Sequence, residues 1–236
     1  IDENDLRLYT YDPVSKKCSP IKNSTVDVEN NTVTTVSCEM STYVMGVQLE
    51  DTDFTKINLS LVVDMSENML GVDYENTYRW KRQLENVISA VNDVSTVSLL
   101  QFTGSSYTIQ ELTRDKSTVL HLLNDMEYAY IPEKGDLLSG FAEGINVLDD
   151  AADGAKVMLI LTATYNSSQK RELVDLANQA ASKGIIVYII DDTRNGNARE
   201  LKEIVSITGG RYFHIDYHYS QANDIILDLN SVKGNG

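Results

Sequence analysis

Asp64, Ser66 and Asn68 fall at every second position directly after Ile57–Val63, a run of mainly apolar residues. One carboxylate, one hydroxyl and one amide oxygen on a single short loop make a set of hard donors, the kind that magnesium or calcium takes while keeping several waters. The run itself reads as a strand buried on both faces, as in a parallel sheet covered by helices. Asp64 then sits at its carboxyl end, where open α/β sheets bind their ligands. A carboxylate in that position must be hydrated, hydrogen-bonded, paired or metal-bound. Asp and Ser are also ordinary turn residues, so the spacing alone equally describes a simple loop.

The rest of the chain has to position that loop. Val97–Phe102 reads as a strand, with Tyr107–Leu112 close enough behind it to be its hairpin partner. Lys156–Thr162 and Ile185–Ile190 are two further buried strands, and Arg211–Ile215 is an outer one. Between them lie helical stripes: Trp80, Leu84, Val87, Ile88 and Val91; then Val119, Leu120, Leu122, Leu123 and Met126 behind a capping Asp115; then Phe141, Ala142, Ile145 and Leu148. Later stripes run through Leu173, Leu176, Ala177 and Ala180, through Leu201, Ile204 and Val205, and through Ala222, Ile225, Ile226 and Leu229. Strands alternating with helices predict an α/β fold with a doubly wound, mostly parallel sheet flanked by helices, and one antiparallel strand at or near an edge. Asp191 and Asp192 follow the third buried strand and add negative charge at the end of the sheet that carries Asp64.

Residues 1–50 have another texture. Leu6–Tyr11, Ser24–Val28, Thr32–Val36 and Ser41–Met45 alternate as short strands, with turns at Asp12-Pro13 and Asn30-Asn31. Three or four short strands do not bury a robust core. The segment is therefore expected to be the end of a β-sandwich or a small accessory β module. The acidic stretch Glu50–Asp53 marks the boundary, giving an N-terminal β segment at 1–50 and an α/β domain at 51–236.

Composition narrows the function. The 236 residues carry 20 Lys and Arg against 35 Asp and Glu, a net charge of −15. Nucleic acid is excluded as a partner, because phosphate binding needs a basic face. No apolar run approaches the ~18 residues of a transmembrane span. Ile1 opens the chain without a signal sequence, as expected of a mature product or an excised piece. The two cysteines, Cys18 and Cys38, lack metal-ligand spacing and are either a disulfide or two buried thiols. Closing that loop would contribute ~3 kcal/mol. His214-x-Asp216-x-His218 would gather ligands if the outer strand ran on that far, but reads more simply as a solvated face. His121, beside Leu122 on a helix, is expected to be partly buried. No nucleophile elbow or phosphate-cradling glycine loop occurs, so no enzyme activity is expected.

Asp64-x-Ser66-x-Asn68 resembles the Asp-x-Ser-x-Ser signature of von Willebrand factor type A domains. The similarity extends over residues 57–230 through Val97–Phe102, Leu112-Thr113-x-Asp115-Lys116, Lys183–Tyr188 and Thr208–Phe213. It implies a metal-ion-dependent adhesion site built from three loops, which is here degenerate. Asp64 and Ser66 match the first loop, while Asn68 stands for its second serine. Asp136, in Lys134-Gly135-Asp136, stands where the second loop has a threonine. Ala163, in Leu161-Thr162-Ala163-Thr164, stands where the third has the aspartate of Leu-Thr-Asp-Gly. Asp136 thus restores the carboxylate that Ala163 removes, and any Mg2+ or Ca2+ held by Asp64, Ser66, Asn68 and Asp136 is expected to bind weakly. Lys134 could instead neutralise the carboxylates.

The resemblance implies a non-catalytic module that binds a protein or matrix ligand, with a basic one favoured by charge, through Asp64, Lys134, Asp136, Asp191 and Asp192. The alternative is a metal-free scaffold that orients neighbouring domains or supports surface assembly. Residues 6–44 resemble a segment of Gram-positive surface proteins, through Leu6-x-x-Tyr9-x-Tyr11-Asp12, Val26-Asp27-x-Glu29-Asn30-x-x-Val33 and Ser41-x-Tyr43-Val44. That similarity implies a bacterial cell-surface setting, where the Cys18–Cys38 bridge is favoured.

Overall fold

The structure is a computed structural model that describes residues 6–12, 17–21, 25–27, 32–34, 42–47, 56–70, 74–126, 134–192, 198–214 and 221–231. The chain divides into two compact units, Ile1–Asp53 and Phe54–Gly236.

The first unit is β structure. Strand β1 (Leu6–Asp12) lies between β2 (Lys17–Pro20) and β5 (Thr42–Val47), antiparallel to both. Tyr11 is opposite Cys18 on one side and Thr42 on the other. A second hairpin pairs β3 (Thr25–Asp27) with β4 (Thr32–Thr34), Val26 facing Val33. Strand β2 was not expected, since Cys18-Ser19-Pro20 carries turn chemistry. Proline tolerates only an edge or a terminus of a sheet, and Pro20 ends an edge strand here.

In the second unit, β6 (Ile57–Asp64) is central and buried at every residue, and the short helix α1 (Glu67–Leu70) follows it. On one side it pairs with β7 (Thr96–Phe102), which runs parallel to it and is followed by the antiparallel edge strand β8 (Ser106–Thr113). On the other side come β9 (Ala155–Thr162), β10 (Ile185–Asp191) and β11 (Tyr212–His214), all parallel. The order β11-β10-β9-β6-β7-β8 is the doubly wound, mostly parallel sheet expected from the sequence.

Alternation along β6 divides its side chains between two cores. Leu59, Leu61 and Val63 join one core with Leu84, Val87 and Ile88 of α2 (Tyr74–Ala90), Val119 and Leu123 of α3 (Lys116–Asp125), and Ile225 and Leu229 of α7 (Gln221–Ser231). Val62 joins the other, with Phe141 and Ile145 of α4 (Leu137–Asp149), Leu173 and Ala177 of α5 (Lys170–Ser182), and Leu201 and Ile204 of α6 (Ala198–Ile207). Full burial of each such leucine or isoleucine stabilises the fold by about 1.5–3 kcal/mol. Helix α2 begins at Tyr74, well before Trp80, where the apolar stripe read from the sequence starts. The apolar stripe marks only the packed part of a helix, so it underestimates the length.

The amino end of β6 is fixed by polar contacts. The amide of Asn58 donates to the carbonyl of Ala152 at 3.0 Å, Asn58 Oδ1 accepts from the Thr96 hydroxyl at 2.8 Å, and the N–H of Ile57 donates to Ser95 Oγ at 2.8 Å. Held at that end and packed on both faces, β6 delivers Asp64 to a fixed point.

Candidate functional site

Asp64 is the last residue of β6 and is fully buried. Its Oδ1 accepts the N–H of Ser66 at 2.9 Å, an Asx turn that folds the chain over the strand end. Its Oδ2 accepts the hydroxyl of Thr162 at 3.0 Å and the N–H of Ala163 at 3.1 Å, both from the end of β9. Two N–H groups and the Thr162 hydroxyl, whose one proton also lies within reach of the Thr164 carbonyl at 3.0 Å, compensate the burial of this carboxylate. Thr162 Oγ1 also accepts the N–H of Thr164 at 2.9 Å, so the β9 loop is wound around the same hydroxyl.

Thr164 fills the space above Asp64's loop. It is buried, its Oγ1 lies 3.2 Å from Ser66 Oγ, and the Asn68 amide donates to it at 2.9 Å. Gly135 closes over it from a third segment. A Cβ at Gly135 would stand 2.2 Å from Thr164 Oγ1 and 2.8 Å from Ser66 Oγ, so only glycine fits this approach. That segment is tied to the sheet by the N–H of Asp136, which donates to the Thr103 carbonyl at 2.7 Å. Asp136 precedes α4 without capping it through its side chain, and its Oδ1 instead accepts the Gln169 amide at 3.1 Å.

Above these contacts opens a cleft of about 510 Å³. Its walls are Glu67 and Asn68 from the β6 loop, Lys134 and Asp136 from the segment before α4, and Tyr165, Asn166, Ser167 and Gln169 after β9. Tyr165 Oη is buried and has no hydrogen-bond partner among the described residues. Burial, with the Glu200 carboxylate second, pushes that phenol above its ordinary value.

The sequence-predicted site residues divide accordingly. Ser66 and Asn68 meet at Thr164, Asp64 lies beneath their loop, and Asp136 and the exposed Lys134 line the cleft. Asp191 and Asp192 are buried at the end of β10 and are not among the cleft's lining residues. Asp191 accepts the Tyr212 hydroxyl at 2.7 Å, and the N–H of Asp192 donates to the Thr162 carbonyl at 2.8 Å. The Tyr212 phenol is pushed up by its burial first and then by that carboxylate. Cys38, Asp216 and His218 lie outside the described residues, as does the side chain of Cys18. His121 is exposed rather than partly buried, 3.5 Å from Asp125 one helical turn on.

The donors present do not fit a divalent cation. Magnesium demands about six oxygens at close, near-octahedral range. Here Asp64 is engaged by three protein donors, Asn68 turns its N–H toward Thr164, and Gln169 holds Asp136. Among the described residues no group of three or more His, Cys, Asp or Glu could hold a metal. Thr162, Thr164, Gly135 and Gln169 carry this arrangement, and sequence reasoning gave them no role. The available signal was Thr164 itself, standing where the resemblance expects glycine.

The profile of the von Willebrand factor type A domain matches residues 58–227. No curated protein matches the chain. Among solved structures, BatB from Bacteroides thetaiotaomicron is 17% identical with a TM-score of 0.64, over 74% of this chain and 98% of that one. An aerotolerance-related membrane protein from Bacteroides fragilis is 16% identical with a TM-score of 0.63, over 75% of this chain and 100% of that one. The pilus adhesin SpaC from Lactobacillus rhamnosus GG is 12% identical with a TM-score of 0.57, over 75% of this chain and 30% of that one. These likenesses share the fold. With the profile covering the sheet from β6 to α7, the chain belongs to the von Willebrand factor type A domain family.

Proposed function

We propose that the chain is a non-catalytic protein-binding module of a bacterial surface or secreted protein, which recognises its partner at the cleft beyond β6 and β9 without a metal ion. Domains of this family are in general interaction modules or scaffolds rather than catalysts. The observation that carries the reading is the cleft itself. It lies at the carboxyl ends of the central strands and presents amides, hydroxyls, the carboxylates of Glu67 and Asp136 and the Lys134 ammonium over a hydrogen-bonded floor. Preorganised polar walls of this sort give specificity at small cost in ordering. The bacterial surface setting is supported by the N-terminal resemblance and by the shared fold of a pilus adhesin. Among the described residues no helix is long and apolar enough to cross a membrane.

The test is a binding screen against bacterial surface and matrix proteins, run in magnesium and in EDTA, with the native chain and an Asn68→Ala/Lys134→Glu/Gln169→Ala variant. The reading expects a partner that EDTA does not release and that the variant binds at least about tenfold more weakly, the loss of a small interface hot spot. Binding that the variant retains in full would place recognition elsewhere. A second reading, a metal-free scaffold orienting neighbouring domains, is favoured by the same closed floor. It gains if nothing in the screen binds.

A further inference from the structure

We infer that the Thr164 side chain takes the place of the cation, its hydroxyl bridging the loops that a metal would otherwise join, and that Ala163 and Thr164 together make this domain independent of metal. The inference concerns the floor of the cleft and holds whatever the cleft binds.

Three segments from distant parts of the sequence meet at one hydroxyl. Ser66 Oγ lies 3.2 Å from Thr164 Oγ1, the Asn68 amide donates to it at 2.9 Å, and the Gly135 backbone presses so close that a Cβ would come within 2.2 Å. Thr164 is 6% exposed, so this hydroxyl is part of the interior and not a rim contact. A cation joins loops by drawing several oxygens toward one point. Here a neutral oxygen does so, by accepting from an amide and sharing a proton with a second hydroxyl. The positive partners that Asp64 needs come from the β9 loop itself, through the Thr162 hydroxyl and the Ala163 N–H. Ala163 contributes that N–H and no carboxylate, and the Asp136 carboxylate that could replace it is held instead by the Gln169 amide at 3.1 Å. Glycine at 164 would lack both the hydroxyl and the volume, leaving Ser66 and Asn68 without their common partner.

The experiment uses the full chain with magnesium chloride and manganese chloride as probes, read by calorimetric melting and isothermal titration. The native chain is expected to show no metal-dependent shift. The Ala163→Asp/Thr164→Gly double variant is expected to gain a rise of several degrees with metal, removed by EDTA, and a measurable heat of binding. Thr164→Val, which keeps the volume and loses the hydroxyl, is expected to melt several degrees lower than the native chain with or without metal. Thr164→Ser is expected to stay close to native. A metal-dependent rise in the native chain would overturn the inference. So would a folded double variant that ignores metal. If the double variant does not fold, the Val and Ser pair decides: Thr164→Val melting with the native chain would show that the hydroxyl joins nothing.

Discussion

The hydroxyl of Thr162 lies 3.0 Å from Oδ2 of Asp64, joining the carboxyl ends of two adjacent parallel strands through residues 98 apart in sequence. Both groups are buried. Thr162→Val keeps the shape and removes the hydroxyl, leaving a buried carboxylate one hydrogen bond short and the Thr164 N–H without its acceptor. The expected loss is about 1.5–3 kcal/mol, the range for hydrogen bonds to charged groups. Thr162→Ser should recover most of it. Urea denaturation checks both, as a lowered midpoint with an unchanged slope for valine and a near-native midpoint for serine.

Two glycines near helix ends should differ in how much a side chain costs. Gly184, after α5, has φ +69° and nothing within 4 Å of an added Cβ, so Gly184→Asn should cost less than about 1 kcal/mol. Gly210, after α6, would place a Cβ 1.9 Å from the carbonyl oxygen of Val187 in β10. Gly210→Ala must push a core strand aside, and about 1–3 kcal/mol of destabilisation is expected, as for overpacking generally. Thermal melting of the two variants side by side is sufficient.

Helix α3 provides a pH test. Asp115 caps it, accepting the Thr118 N–H at 3.1 Å and the Thr118 hydroxyl at 2.7 Å, as well as the Ser117 hydroxyl. The Ser117 hydroxyl, followed by the two Thr118 donors, lowers this carboxyl from 3.8 to about 2. Its value in the folded chain is depressed, so its contribution is complete above pH 3.8 and fades as pH falls toward about 2. Asp115→Asn retains capping ability and lacks the titration. The melting temperatures of native and variant chains should therefore converge between about pH 4 and pH 2.

The cysteines give a covalent prediction. If Cys18 is bridged to Cys38, material purified without reductant will weigh two hydrogens less than the sequence mass and offer no thiol to alkylation. Labelling of both thiols in the native chain would show that no bridge joins them.

Much of the fold was legible because burial writes a period into sequence. The central strands β6, β9 and β10, buried over most or all of their length, appear as mainly apolar runs, and α2, α4 and α5 appear as stripes at helical spacing. Strand β2 escaped because its Cys18-Ser19-Pro20 has no such run. At the site, Asp64, Ser66 and Asn68 were visible as a local spacing, and Asp136 through resemblance alone. The role of Thr164 was not visible. Its partners are Asn68, Ser66 and Gly135, and only the packing of β6 against β9 brings them together.

The most direct measurement is calorimetric melting of the native chain in millimolar magnesium, in millimolar calcium and in EDTA. A floor already closed by Thr164, with Asp64 satisfied by Ser66, Thr162 and Ala163, predicts the same melting temperature in all three. A rise of several degrees with either ion, abolished by Asp64→Ala and by Asp136→Ala, would contradict the account and restore a metal to the site.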